Sequence, residues 1–178
     1  MNLILLKSDQ IDSKNTANIN CLSTIKHIAH VLKKSPGHQI DVGLLNGPIG
    51  HGTIEDVSKD SLTLSHLNFA TPPPSPLPIR LVMALQRPKM LKRMLRSASM
   101  LGIKEIHIIH AYKVEKSFWF SDLIYKQQWE KYLLDGLIQS KDTILPQVHL
   151  HDRFKPFTQD TLPGLIENSA CYTAHPYA

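Results

Sequence analysis

The sequence predicts an α/β protein with an N-terminal β-barrel. Residues 1–70 read as a small, mostly β unit, 71–78 as a proline-rich linker, and 79–178 as an alternating strand–helix unit. Three observations carry this. Short β-rich runs with turn signals fill the first seventy residues. Five prolines crowd into Pro72–Pro78, where each pre-proline residue is pushed out of the helical region and a stiff, extended spacer results. Beyond them, apolar runs of strand length alternate with stretches of helical period, the order of a mostly parallel sheet with helices on both faces.

In the first unit, Leu3–Leu6 is a short strand. Ser23 or Thr24 is placed to cap a helix reaching about Lys34, with Ile25, Ile28, Val31 and Leu32 on one face. Pro36-Gly37 stops it. Extended stretches follow at about His38–Leu45, Ile49–Val57 and Ser61–Leu67. Asn46-Gly47 between the first two predicts a type I′ hairpin turn, because both residues tolerate positive φ. Gly43, Gly50 and Gly52 mark candidate bulges or barrel corners.

In the second unit, Ile79–Leu85 is a strand running into Arg87-Pro88. Pro88 at the first helical position opens a helix with Leu91, Met94, Leu95, Ala98 and Leu101 as its buried stripe, and Gly102 stops it. Ile103–Ile109 is the next strand, and a long helix lies within Trp119–Lys141. Gln147–His151 is a third strand, about Pro156–Glu167 a poorer helix, and Ser169–Ala174 a fourth strand. In open sheets of this kind ligands bind beyond the carboxyl ends of the strands, which is where Arg87, Lys113–Lys116 and His175 fall.

Composition narrows the function classes. Among 178 residues, 42% are hydrophobic and 20% charged, the balance of a chain with a packed core. The longest apolar run near the start, Leu3–Leu6, is too short for a secretory signal, and nothing approaches the ~20 apolar residues of a membrane helix. Cys21 and Cys171 make neither a disulfide framework nor a zinc motif, which fits a reducing cytoplasm. No nucleophile elbow, H-E-x-x-H, P-loop or G-x-G-x-x-G appears, so hydrolase and kinase readings have no footing.

The net charge of +5 is localised. Residues 1–70 carry six basic and six acidic side chains, while 71–178 carry fourteen against nine. Arg80, Arg87, Lys89, Lys92, Arg93, Arg96 and Lys104 follow one another with no acid between them. Lys89, Lys92, Arg93 and Arg96, spaced three and four apart, form one helical stripe, either a phosphate-binding surface or a solvated face. Lys113, Lys116, Phe118 and Trp119 mix cations with aromatics past a strand end. There the rings either stack on bases or enter the core. Ten histidines raise the question of a metal. His107 and His110 differ by three along a strand and point to opposite faces, while His149 and His151 share a face but lack an evident third ligand, so no metal is expected.

Ordered together, several segments resemble the ribosomal RNA small subunit methyltransferase E family. They are His27-Ile28-Ala29-His30-Val31-Leu32-Lys33 with Pro36-Gly37, Leu44-Leu45-Asn46-Gly47 with Gly50-His51-Gly52, and Arg87-Pro88-Lys89-Met90-Leu91-Lys92-Arg93 with Leu101-Gly102-Ile103. Val114 to Trp119, Asp142-Thr143-Ile144-Leu145-Pro146 and His175-Pro176 complete the set. The resemblance covers essentially the whole chain. It implies a PUA-like barrel, a SPOUT-type knotted methyltransferase domain, a homodimer, and S-adenosylmethionine as methyl donor to N3 of a uridine in 16S ribosomal RNA.

Carried onto this sequence, the resemblance implies RNA contacts from His27, Lys33, Arg87, Lys89, Lys92, Arg93, Arg96, Lys113, Lys116 and Trp119. It makes His175 and Pro176 the first edge of the cofactor pocket and assigns no general base. Three departures stand out. His30 and Lys33 replace two arginines of the family, and a lysine lacks the bidentate fork for phosphate. Ile138 stands where the family has Glu. The Gly-Pro-Glu-Gly-Gly loop and Arg-Ile-Leu-Arg segment that form the knot and most of the cofactor pocket do not follow His175-Pro176. A fragment or truncated form is therefore expected, with weak or no cofactor binding by this chain alone. A methyltransferase and a non-catalytic RNA-binding or ribosome-assembly module remain the two readings.

Overall fold

The computed structural model describes residues 3–174. Five strands form the first sheet: β1 (Ile4–Leu6), β2 (Ala17–Ile19), β3 (Gln39–Leu44), β4 (Ile49–Val57) and β5 (Leu62–Thr71). Their order is β1-β3-β4-β5-β2, with β1 parallel to β3 and every other pair antiparallel. The sheet curls into a PUA-like barrel around Ile4, Leu6, Val42, Ile54, Leu62 and Leu64. β2 was not foreseen: Ala-Asn-Ile is too short to display a period. β5 also runs four residues past the expected end at Leu67. Register shifts between Ile49 and Gly50 and between His51 and Thr53 bend its pairing with β4, in line with bulges at Gly50 and Gly52.

The barrel's helix departs from expectation at both ends. α1 (Leu22–Lys26) is capped by Cys21, not by Ser23 or Thr24. It widens into a π-helical turn over His27–Val31, with Leu32 N–H donating to the His27 carbonyl at 2.9 Å, and Lys33 then leaves at φ +50°. Ile25 and Ile28 are buried, whereas Val31 and Leu32 are exposed because the wider turn rotates them off the core face. The Asn46-Gly47 turn joins β3 to β4 but is not type I′. Asn46 alone takes positive φ (59°), and Gly47 N–H donates to the Leu44 carbonyl at 2.8 Å.

After Thr71, residues 72–78 form no regular element. The second sheet holds β6 (Arg80–Ala84), β7 (Glu105–Ile109) and β8 (Gln147–His151), all parallel, in that order. The expected fourth strand at Ser169–Ala174 is absent; those residues are irregular. α2 (Pro88–Met100) begins at Pro88 as read from the sequence, and Gly102 ends it at φ +82°. Its buried stripe is Leu91, Leu95, Ala98 and Ser99. Met94 and Leu101 face solvent.

The long helix expected over 119–141 is instead three pieces. They are a 3-10 segment at Lys116–Phe120, α3 (Asp122–Tyr125) and α4 (Glu130–Ser140). Extended Ser121 (φ −64°, ψ 144°) and left-handed Gln127 (φ 49°) make the breaks. α2 and α4 cover one face of the parallel sheet and touch closely. A Cβ on Gly136 would lie 2.6 Å from the Arg96 carbonyl, and Ser99 Oγ donates to the Leu133 carbonyl at 2.8 Å. A helical segment at 154–166, made of α5 (Phe154–Pro156), a π turn and α6 (Leu162–Ile166), packs on the opposite face through Phe157. Among the described residues no helix is long and apolar enough to cross a membrane.

The two sheets meet through the loop between α4 and β8. Asn46 N–H donates to the Thr143 carbonyl at 2.8 Å, and Leu145 N–H donates to Asn46 Oδ1 at 2.9 Å. Thr143 Oγ1 donates to the Gly47 carbonyl, and the Thr143 methyl sits where a Gly43 side chain would be, 2.6 Å from an ideal Cβ. Lys141 Nζ donates to Asp41 Oδ2 at 2.6 Å and holds that carboxyl below its ordinary pKa. Lys104 fixes the loop from below. Its ammonium, 14% exposed, pairs with the nearly buried Asp142 and also donates to the Ile144 carbonyl, while Asp142 Oδ1 accepts from Ile144 N–H.

Two outcomes follow from these contacts. Lys104→Met leaves Asp142 buried without its counter-charge and lowers urea-unfolding stability by about 3–5 kcal/mol. The double variant with Asp142→Asn recovers more than half of that loss; strictly additive losses would show that the pair is not the anchor. Hydrogen bonds from the Ser23 and Thr24 side chains lower the Cys21 thiol to about 7. Iodoacetamide alkylation of Cys21, followed in a Cys171→Ser background, therefore reaches half its maximal rate near that pH, and Ser23→Ala moves the midpoint upward.

Candidate nucleic-acid interface

Parallel strands that end side by side leave a crevice between their outgoing loops. Here the loops after β6 and β7 enclose a cleft of about 370 Å³. Leu85, Val114 and Phe118 supply its apolar wall, and Gln86, Arg87 and Lys113 its polar rim. Arg87 is the N-cap of α2, whose first turn carries no acid, so the positive end of a thirteen-residue helix opens beside the cleft. An anion is the natural occupant of that rim, and the apolar wall suits a flat ring next to it.

The basic stripe of α2 does not act as one surface. Arg96 Nη2 pairs with Asp135 of α4 at 2.8 Å, and Lys92 Nζ lies 5.5 Å over the Tyr132 ring. Both are turned onto α4. Lys89 and Arg93 are exposed, and neither forms an ion pair among the described residues. The run contains no acid along the sequence, but acids remote in sequence from each cation supply partners: Glu105 for Arg80, Asp135 for Arg96 and Asp142 for Lys104.

Lys113 and Lys116 are exposed on the loop after β7. Trp119 is not an open stacking platform. It is half-buried against the core, its ring stacked on His110 with centroids 5.8 Å apart, and its buried Nε1 has no hydrogen-bond partner among the described residues. Between β7 and α3 the open rings are Tyr112, 99% exposed, and Phe120, 78% exposed. Sequence reasoning missed Tyr112, although its place three residues past a β-strand and beside Lys113 was the available signal.

His27 and Lys33 lie in the barrel. His27 is half-buried with its Nε2 enclosed and unpartnered among the described residues, and Lys33 is exposed on the left-handed turn after the π segment. No hydrogen bond joins either to the cleft among the described residues. His175 and Pro176 lie outside the described residues. The expectation of no metal cluster meets a different grouping: one histidine from each pair, His107 and His149, gathers with Glu105 across the paired strands. The spacing Glu105-x-His107 on one strand face carried that information.

A family model described as an RNA methyltransferase domain matches residues 73–176, and one described as an RNA methyltransferase PUA domain matches 23–65. The chain is 29% identical over 157 residues to the ribosomal RNA small subunit methyltransferase E of Treponema pallidum (strain Nichols). That match covers 88% of this chain and 59% of the relative, so the chain spans about three fifths of the relative's length. Two solved structures share the fold. A probable rRNA-methyltransferase from Porphyromonas gingivalis superposes with a TM-score of 0.65 at 17% identity, over 89% of this chain and 64% of that one. A ribosomal RNA small subunit methyltransferase E from Neisseria gonorrhoeae bound to S-adenosyl methionine gives 0.60 at 14%, over 84% and 62%.

Charge removal separates the two sides of α2. Arg87→Gln and Lys113→Gln each weaken binding of a single-stranded oligonucleotide by about threefold to tenfold at low salt, the loss of roughly one phosphate contact. Arg96→Gln, whose charge Asp135 already meets, changes it by less than about twofold. Filter binding measures all three. Equal losses for the three variants would remove the cleft from the interface.

Proposed function

The chain belongs to the RNA methyltransferase family, and from that premise we propose that it is the RNA-holding body of an S-adenosylmethionine-dependent methyltransferase acting on small-subunit ribosomal RNA. The observation that carries this reading is the cationic cleft at the carboxyl ends of β6 and β7, with an apolar wall and an exposed ring beside it. Arg87 and Lys113 neutralise backbone phosphates, Lys116, Lys89 and Arg93 extend the track, and Tyr112 offers a face on which a splayed base stacks. Recognition of this kind suits a single-stranded target. The barrel adds Lys33 as a second electrostatic contact.

Holding the RNA in one orientation is the contribution these residues make to rate, since a positioned reactant no longer pays its orientational entropy at the reacting step. S-adenosylmethionine supplies an electrophilic methyl group when bound. The cleft does not fit that cofactor's charged sulfur. Its rim carries two cations, Arg87 and Lys113, which oppose a sulfonium, so the methyl donor is not placed in this cleft. The same reading places the protein in the cytoplasm as a homodimer, organised as barrel 1–70, linker 71–78 and methyltransferase unit 79–178.

Salt titration tests the RNA contacts. Arg87→Gln with Lys113→Gln reduces the slope of log affinity against log salt by roughly 1.4–1.8, from about 0.7–0.9 per contact. Tyr112→Ala weakens binding by about 1–3 kcal/mol and leaves the slope unchanged. Unaltered slope and affinity in these variants would exclude the cleft as the RNA site. The methyl-transfer reading is tested separately. Small-subunit ribosomal RNA from cells lacking this gene should miss one base methylation present in the parent, and identical methylation in both would leave only a binding role.

A further inference from the structure

The sheet face turned away from α2 and α4 carries a set of side chains that neither the cleft nor the barrel uses. Alternation along β7 sends Ile106 and Ile108 into the core with the helices and leaves Glu105 and His107 on the other side. Strand pairing sets His149 of β8 directly opposite His107. The two imidazoles stack with centroids 4.8 Å apart, and one ligating atom from each of Glu105, His107 and His149 lies within 4.8 Å of the others.

Both members of the Glu105–His107 pair are already oriented by outer partners. Arg80 Nε donates to Glu105 Oε2 at 2.8 Å, leaving Oε1 turned to His107 Nε2 at 3.0 Å. In the ion-free protein His107 Nε2 donates to Glu105 Oε1; an ion bound there displaces that proton, and Nδ1, 3.0 Å from Nε2 of His151, then carries the ring's remaining N–H. A metal-binding imidazole characteristically donates its second ring N–H in this way, which fixes the tautomer and the ring plane. His107 is only 3% exposed, while Glu105 and His149 are half-buried, so the set is walled on the core side and reachable from solvent.

We propose that Glu105, His107 and His149 form a site for one divalent transition-metal ion of the zinc type, with solvent completing the coordination. Two neutral imidazoles and one carboxylate are a donor set such ions prefer over calcium or magnesium, which favour oxygen. Arg80 opposes a second positive charge, so the affinity is micromolar and not tighter. None of the three ligands lines the cleft, and Phe157 covers the neighbouring His107 and His151 rings, with centroids 6.3 and 4.6 Å away. The bound ion is therefore structural: it fastens the sheet face on which the segment 154–166 rests.

Titrating the chelator-treated chain with Zn2+ in a calorimeter, and with Co2+ followed by visible absorption, tests the site. The expected result is one ion at micromolar affinity, with Co2+ bands of a tetrahedral or five-coordinate centre. Glu105→Gln and His149→Gln are used because both side chains are partly exposed and leave the core intact. Each weakens Zn2+ binding about tenfold or more and alters the Co2+ spectrum, whereas His38→Gln in the barrel changes neither. Absence of a micromolar site, or one that both variants leave unchanged, overturns the proposal.

Discussion

The buried pairing of Lys104 with Asp142 is the constraint on which the arrangement of the chain depends. Two charges taken out of water repay their desolvation only when the remaining polar atoms are also satisfied. Here they are: Lys104 donates a second time to the Ile144 carbonyl, and Asp142 accepts from the Ile144 amide. The loop is thus held at a fixed height above β7. That height presents Thr143 to the gap left by Gly43 and lets Asn46 bond the loop at both the Thr143 carbonyl and the Leu145 amide. The barrel's position relative to the cleft follows from a salt bridge that lies wholly within the other unit.

β7 carries two separate jobs by alternation alone. Its even-numbered residues, Ile106 and Ile108, are fully buried beneath α2 and α4, where Gly136 permits close helix approach. Its odd-numbered residues hold the Arg80–Glu105–His107–His151 chain of polar contacts. Burial pushes the His151 pKa down, with the neighbouring His107 and His149 charges adding to the effect, so the ring there favours its neutral, acceptor form. Glu105 is pulled the other way: burial raises its pKa, but hydrogen bonds from His107 and Arg80 outweigh that and lower it. The helices and the histidine layer therefore occupy opposite sides of one strand, and neither intrudes on the loops at its carboxyl end.

What was legible in the residues was mostly local. Pro88 and Gly102 bracket α2, and the apolar runs of β3, β4 and β6 to β8 could be read directly, because each signal lies within a few neighbours. The misreadings arise where the deciding signal is too short to show a period, as in β2, or lies outside the local sequence. Asn46-Gly47 looks like a type I′ turn by itself, but Asn46 is recruited to the α4–β8 loop and only it takes positive φ. Residues 119–141 have a helical period, but Ser121 and Gln127 adopt conformations that interrupt it. Trp119 does not serve as the open ring expected of it, and Tyr112, given no role from the sequence, is the ring left exposed. His110 and the core claim the indole, while Tyr112 is left in solvent where the loop turns outward.

The charge distribution shows most clearly why spacing alone misleads. Seven cations in a row without an intervening acid suggest one continuous field, yet a field depends on distance in space. Arg80, Arg96 and Lys104 each find a carboxylate more than twenty residues away, the first two at the surface and the third buried, and a charge so paired leaves little net field to act at a distance. What survives is Arg87, Lys89 and Arg93 on the open side of α2, with Lys113 and Lys116 across the strand ends. Of that smaller set, Arg87 and Lys113 line the cleft beside the positive end of α2, where helix dipole and side-chain charge have the same sign and a phosphate is drawn by both.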